Sequence, residues 1–169
     1  AVPQPLPRAP AIAHYVVGQL QRWPLQTEYP QIVADVVALA SKLPWPLIAL
    51  DKTGVGAGPV EMLQHAEPKA KIYPVLITAG HEQSVDRGVW HVPKKELVST
   101  MLMLSQSDRL KIAPVPERDL LVKDLAAFRV KITAARNETF EAWRERDHDD
   151  IVLAVALACW LGETVGNYI

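Results

Sequence analysis

The chain contains one cysteine, Cys159, among its 169 residues. A single thiol excludes both an internal disulfide bond and a metal cluster held by several thiolates. Because Cys159 lies in the apolar run 151–161, we expect a buried, unreactive thiol. A reducing compartment suits such a chain, so we expect it to act in the cytoplasm.

The chain also has almost no net charge and no long apolar run. The formal net charge is −1, so no overall basic field favours nucleic acid, although a local basic rim is compatible with this balance. No apolar stretch reaches the roughly 18 residues of a membrane-spanning helix, and the N-terminus lacks a secretory pattern. We therefore expect one globular domain over 13–169, preceded by a proline-rich tail or linker at 1–12.

Strand-like and helix-like apolar spacing alternate along the domain, which indicates an α/β fold. The predicted strands cover 17–23, 47–50, 71–78 and 109–113. The predicted helices cover 30–43, 59–66, 93–106, 117–128 and a segment from near 147 to beyond 160. Between them, 79–91 is predicted to be a polar loop, and 129–133 a strand or a loop.

Two of these strands carry further expectations. The run 47–50 is continuously apolar, as in a central strand that is buried on both faces. Pro74 lacks a backbone N–H and therefore places the strand 71–78 near a sheet edge or a bulge.

Three carboxylates and an imidazole stand directly before the last apolar helix, in the run Asp147-His148-Asp149-Asp150. One carboxylate is enough to cap a helix N-terminus, so capping leaves the other acidic groups unexplained. Crowded carboxylates repel each other unless a cation neutralises them. Helix capping and the binding of a divalent cation are both open interpretations of this run.

A further carboxylate, Asp51, ends the apolar run 47–50 and precedes the glycine-rich turn 53–58. α/β proteins place ligands at this end of a parallel strand. The alternative is a polar residue that only terminates the strand. The spacing GxxxxGK[ST] is absent, which excludes a nucleotide phosphate loop.

Basic residues occur in two groups. Lys94 and Lys95 begin a predicted helix, whose free N–H groups can also bind a phosphate. The second group precedes the acidic run and consists of Arg129, Lys131, Arg136, Arg144 and Arg146. Contacts to a DNA backbone and a solvated surface neutralised by nearby glutamates are both compatible with this pattern.

Four collinear segments resemble phage large terminases. LDKTGVGAGPVEML resembles the D-x-TGVG-x-x-V-x-x-L segment of that family, and RERDHDDIVLAVALACW resembles its closing HDD-x-V-x-A-x-A-x-A motif. HVPKKELVSTMLMLSQSDRLKIA is similar to the family's VPK-x-x-L helix and RL-x-I strand. QRWPLQTEYPQIVADV is similar to the segment that joins an early strand to the first helix. The resemblance covers roughly 15–163.

The resemblance implies an RNase H-like mixed sheet flanked by helices. It also implies a metal-dependent endonuclease that cuts concatemeric double-stranded DNA during packaging, in the cytoplasm of a bacterial host. Two divalent cations, Mg²⁺ or Mn²⁺, are bound in that family by an acidic cluster. Carried over to this chain, Asp51 is the second acidic ligand, and Asp149 or Asp150 is the third.

Further residues and partners follow from the same resemblance. His148 would orient a carboxylate or touch DNA, beside the DNA-backbone candidates Lys94, Lys95, Arg144 and Arg146. The other partners would be the portal, the small terminase and an ATPase domain that is not in this chain.

The sequence departs from the family at two points. The first acidic ligand of the family lies on an opening strand with the pattern D-x-G-x-x-x-D, whereas 1–12 contain no Asp or Glu. We therefore expect an RNase H-like fold whose first strand is missing. Lys52 also stands beside Asp51, where small residues are usual, and its ammonium would weaken metal binding. Two hypotheses follow: an active two-metal endonuclease, or a catalytically silent DNA-binding or remnant domain of the same fold. A different RNase H-like nuclease, such as a junction resolvase, would share the fold, but the collinear segments favour the terminase family.

Overall fold

The computed structural model describes residues 12–134 and 150–165 of the chain. The strands in these ranges are β1 (Tyr15–Val17), β2 (Leu47–Asp51), β3 (Lys71–Thr78), β4 (Ser84–Asp86), β5 (Val89–Pro93) and β6 (Leu110–Ile112). The α-helices are α1 (Tyr29–Ala40), α2 (Ala57–His65), α3 (Lys94–Gln106), α4 (Arg118–Ala134) and α5 (Asp150–Val165). Most of the predicted helices and strands are therefore present close to their predicted bounds. The predicted tail lies outside the description, except for Ile12.

Four strands form a mixed sheet in the order β2-β3-β5-β4. The β2–β3 and β3–β5 pairs are parallel, whereas β4 and β5 are antiparallel. β1 and β6 form a separate parallel pair, with Tyr15 opposite Leu110. Helices flank the mixed sheet, which confirms the predicted α/β class.

The core lies between the mixed sheet and the helices α3 and α5. α5 contributes its largest buried set: Ile151, Val152, Val155, Ala156, Leu157, Cys159, Trp160 and Leu161. The predicted burial of this helix and of the Cys159 thiol is thereby confirmed. Trp160 packs edge-on against Trp90 with ring centroids 5.4 Å apart. Its indole N–H donates to Gln83 at 2.9 Å, so the one polar group of a buried side chain is satisfied.

Strand β2 differs from its prediction as a central strand. In the described sheet it pairs with β3 alone, and all five of its residues are half-buried. An apolar groove of about 440 Å³ lies along β2, where Ile48 of the strand, Val36 of α1 and Ala158 of α5 line it. The burial of β2 is therefore partial, because one edge of the strand has no partner in the described sheet and its apolar side chains line this groove.

Pro74 also lies elsewhere than predicted, because β3 is a central strand between β2 and β5. The carbonyl of Val75 accepts from the N–H of Lys52, so the backbone N–H and C=O of Val75 point towards β2. Successive residues of a strand direct their backbone groups to opposite neighbours, so the backbone nitrogen and carbonyl of Pro74 point towards β5. Pairing with β5 begins only at Val75, opposite Trp90, so the N–H that Pro74 lacks removes no ladder hydrogen bond.

Two further predictions are wrong. The predicted polar loop 79–91 contains a β-hairpin, β4 and β5, joined by the two-residue turn Arg87-Gly88. Both turn residues have positive φ, 47° and 80°, as a tight hairpin of this kind requires. The segment 129–133 is helical and continues α4 to Ala134, where a strand or a loop was expected.

The first strand is shorter and earlier than the predicted 17–23. It covers Tyr15–Val17, because its partner β6 has only three residues with which to pair. Trp23 extends no strand and instead donates its indole N–H to Asp35 of α1 at 2.8 Å. Among the described helices, none is long and apolar enough to cross a membrane.

Candidate functional site

Asp51 occupies the position that the sequence predicts. It is the last residue of β2, lies opposite Val75 of β3, and is half-buried. Because the β2–β3 pair is parallel, Asp51 stands at the carboxyl end of the sheet, where loops leave the strands and ligands are commonly bound.

The backbone directly after Asp51 holds one of its carboxylate oxygens. The N–H of Thr53 donates to Oδ1 of Asp51 at 2.8 Å, which closes an Asx turn. The N–H of Lys52 donates to the carbonyl of Val75 at 2.7 Å and extends the strand pairing by one step. The hydroxyl oxygen of Thr53 then accepts from the N–H of Ile77 at 3.0 Å. The chain therefore leaves the sheet through an ordered set of hydrogen bonds around Asp51.

The backbone conformation of the following turn explains why glycine occupies positions 54 and 56. Gly54 has a φ of +63°, a conformation that residues with a Cβ rarely adopt. A Cβ on Gly56 would overlap the carbonyl oxygen of Asp51. The turn 54–56 therefore favours glycine at position 54 and requires it at position 56, and it leads into α2 as a short 3₁₀ segment.

Asp150 is the first residue of α5 and is exposed. α5 packs against β2, so the acidic beginning of the helix and the strand that ends in Asp51 belong to neighbouring elements. Asp147, His148 and Asp149 lie outside the described residues. Within 12–134 and 150–165, no three Asp, Glu, His or Cys residues group closely enough to hold a metal ion. The third carboxylate and the choice between Asp149 and Asp150 remain predictions.

The donors at Asp51 and Asp150 suit a hard divalent cation, because carboxylate oxygens are the ligands that Mg²⁺ and Mn²⁺ prefer. Oδ1 of Asp51 is engaged by Thr53, and Oδ2 has no hydrogen-bond partner among the described residues. One oxygen of the carboxylate is thus held by the backbone of the turn. The type of ligand is therefore suitable, but the described residues contain no group of three such ligands that could hold the cation, and the metal site remains a prediction.

The basic candidates are described in part. Lys94 and Lys95 begin α3, as predicted; Lys94 is half-buried and Lys95 is exposed. Glu96 lies in the same first turn and adds a negative charge beside the helix N-terminus. Arg144 and Arg146 lie outside the description, and the predicted contacts of all four with DNA remain predictions.

Sequence reasoning missed Thr53. Asp side chains commonly accept from the backbone N–H two residues on, so the sequence was compatible with this turn at Asp51 but did not specify it. The hydrogen bond from the N–H of Ile77 to this hydroxyl had no signal in the sequence, since the two residues are 24 positions apart.

Comparisons with protein-family models, with curated proteins and with solved structures found no match to this chain.

Proposed function

We propose that this chain is the metal-dependent nuclease domain of a phage or prophage large terminase, with an RNase H-like fold. Its substrate would be concatemeric double-stranded DNA, cut during packaging. One observation carries the proposal: Asp51 lies at the carboxyl end of a parallel strand, directly before the TGVG turn, and the backbone N–H of Thr53 holds one of its carboxylate oxygens.

The geometry of the turn 53–56 adds support. In the TGVG segment that resembles the terminase family, the positive φ of Gly54 favours glycine and the close approach at Gly56 requires it. Since a Cβ on Gly56 would overlap the carbonyl oxygen of Asp51, this glycine bears directly on the conformation of the acidic residue. The motif residues and the candidate ligand are therefore parts of one local structure.

The proposed roles follow the chemistry of the side chains. Asp51, Asp150 and Asp149 would bind Mg²⁺ or Mn²⁺, and bound cations supply charge stabilisation to phosphodiester hydrolysis. Lys94, Lys95, Arg144, Arg146 and His148 would hold the DNA backbone without reading its sequence. The portal, the small terminase and an ATPase domain outside this chain would be the further partners, in the cytoplasm of a bacterial host.

A second candidate is a catalytically silent DNA-binding or remnant domain of the same fold. Within 12–134 and 150–165, no three Asp, Glu, His or Cys residues group closely enough to hold a metal ion, which favours this candidate. Lys52 directly follows Asp51 and is half-buried, but no ion pair joins the two side chains. Such a domain would bind DNA in a salt-dependent manner without metal-dependent turnover.

Incubation of the purified protein with supercoiled plasmid and Mn²⁺ tests the proposal. We expect nicking or linearisation that is abolished by EDTA, by Asp51→Asn and by Asp150→Asn. Asp119→Asn is the matched control, because Asp119 is an exposed carboxylate in the first turn of another helix, α4, and should leave cleavage unchanged.

The alternative predicts a different pattern in the same experiment. A folded protein that binds a fluorescent DNA duplex at low salt, releases it at high salt and cleaves nothing with Mn²⁺ would be the silent domain. Cleavage that survives in Asp51→Asn would contradict the proposed site.

A further inference from the structure

Thr53 makes hydrogen bonds in two directions at the point where the chain leaves the sheet. Its backbone N–H donates to Oδ1 of Asp51 at 2.8 Å. Its hydroxyl oxygen accepts from the backbone N–H of Ile77 in β3 at 3.0 Å. This one residue therefore connects the carboxylate of Asp51 to the backbone of the neighbouring strand.

The hydroxyl takes the place of a backbone acceptor. Regular pairing of β2 with β3 ends at Asp51 opposite Val75, and Lys52 adds one more hydrogen bond to the Val75 carbonyl. Ile77 is the next residue of β3 that faces the same side, and it is buried. A buried N–H without an acceptor is unfavourable. The side chain of Thr53 supplies that acceptor where the main chain has already turned away.

The turn has little freedom to replace this bond by shifting. The backbone at Gly56 approaches the carbonyl of Asp51 so closely that no Cβ fits between them. Gly56 also donates its N–H to the carbonyl of Thr53 at 3.2 Å. Residue 53 is therefore held from the side of β3 by its hydroxyl and from the side of the turn by Gly56.

We propose that Thr53 is a positioning residue for Asp51. Its hydroxyl fixes the backbone of residue 53 against β3, and the N–H so fixed holds one carboxylate oxygen and leaves the other for the cation. A carboxylate that is ordered before binding loses less conformational freedom when the cation binds. This inference rests on the proposed function, because it takes Asp51 as a metal ligand.

Two substitutions separate the hydroxyl from the shape of the side chain. Thr53→Val keeps the branched shape and removes the acceptor, whereas Thr53→Ser keeps the acceptor. Mn²⁺ affinity is measured from the electron paramagnetic resonance signal of free Mn²⁺, and the exchange of the Ile77 amide is measured by NMR. For Thr53→Val we expect about tenfold weaker Mn²⁺ binding and at least about tenfold faster exchange at Ile77, as the loss of one buried hydrogen bond predicts. Thr53→Ser should remain within about twofold of the wild type in both measurements, because it retains that bond.

Asp51→Asn, measured in parallel, distinguishes the two proposals. If Asp51→Asn loses Mn²⁺ binding and Thr53→Val binds as the wild type does, the positioning role is wrong and the proposed site stands. If Asp51→Asn binds Mn²⁺ as tightly as the wild type, both proposals are wrong.

If Thr53→Val does not fold, Thr53→Ala is measured in its place. The smaller side chain leaves room for a water molecule that accepts the hydrogen bond from the N–H of Ile77. Thr53→Ala should show the same loss of Mn²⁺ affinity, since a water molecule does not tie residue 53 to β3, and wild-type affinity would overturn the role.

Discussion

The phenolic hydroxyl of Tyr15 donates a hydrogen bond to Oε1 of Glu163 at 2.6 Å and so joins β1 to the last turns of α5. Arg109, which directly precedes β6, donates to both oxygens of the same carboxylate, at 3.1 and 2.6 Å. Its Nε also donates to the carbonyl of Ala13 at 2.8 Å. The separate β1–β6 pair is thereby fastened to the helix that forms most of the core.

Tyr15→Phe removes this hydrogen bond and keeps the ring. We expect the free energy of unfolding to fall by about 1.5–3 kcal/mol, the usual contribution of a hydrogen bond to a charged acceptor. Urea denaturation followed by circular dichroism measures the change. Tyr29→Phe is the matched control, because Tyr29 is 46% exposed, and it should unfold as the wild type does.

The same tyrosine predicts a change of stability at alkaline pH. Burial, the hydrogen bond to Glu163 and the negative charge of that carboxylate raise the pKa of Tyr15 from 10.0 to about 12. A raised pKa favours the neutral phenol in the fold, so this contribution is present below pH 10 and is lost as the pH rises to about 12. Urea midpoints measured across that window should decline less in Tyr15→Phe than in the wild type, and equal declines would contradict the assignment.

Glu163→Gln tests the acidic side of the same cluster. Burial raises the pKa of Glu163, but the hydrogen bonds from Tyr15 and Arg109 and the charge of Arg109 outweigh it. The pKa of Glu163 therefore lies below the usual 4.5. The stabilisation is therefore present above about pH 4.5 and is lost as the pH falls through the lowered pKa. We expect the variant to be less stable at neutral pH and to lose less stability on acidification. Glu61→Gln, an exposed substitution in α2, is the control, and an acid transition like that of the wild type in Glu163→Gln would exclude this role.

Gly162 and Gly58 offer a matched pair of helical glycines. A Cβ on Gly162 would overlap the ring of Tyr15, whereas nothing lies within 4 Å of a Cβ on Gly58. Gly162→Ala should lower the free energy of unfolding by about 1–3 kcal/mol through steric crowding. Gly58→Ala should raise it by up to about 1 kcal/mol, because alanine is the better helix former. Thermal denaturation measures both, and a stabilised Gly162→Ala would show that the contact with Tyr15 is looser than described.

Cys159 provides a test of core packing through its reactivity. Burial and the charge of Glu163 raise the pKa of its thiol to about 11, and its exposed fraction is 3%. At pH 8 the native protein should react with 5,5′-dithiobis(2-nitrobenzoate) only as fast as it unfolds, because the reagent cannot reach the buried sulfur and the thiol is not ionised. In urea, one equivalent should react within the mixing time of a manual assay. Rapid reaction of the native protein would contradict the packing of α5.

Local patterns in the sequence were sufficient to predict several helices and strands and the position of Asp51 in the candidate site. Helical spacing predicted α1 and α3, and an unbroken apolar run predicted both β2 and the place of Asp51 at its end. The burial of α5 followed from a helix that is apolar on nearly every face. These features depend on residues within one or two turns of each other, so the sequence contains them directly.

Only the tertiary structure decided which elements are neighbours and which polar groups meet. An apolar run does not state how many strands pair with it, so β2 proved to be an edge strand of the described sheet. Pro74 was compatible with a central strand because β5 begins to pair one residue later. The bonds of Thr53 with Ile77 and of Tyr15 with Glu163 span 24 and 148 positions, and such pairs depend on how strands and helices pack. The sequence by itself determined the local elements and the carboxylate at the end of β2. The packing of distant segments determined how that carboxylate is held, because hydrogen bonds form between neighbours in space.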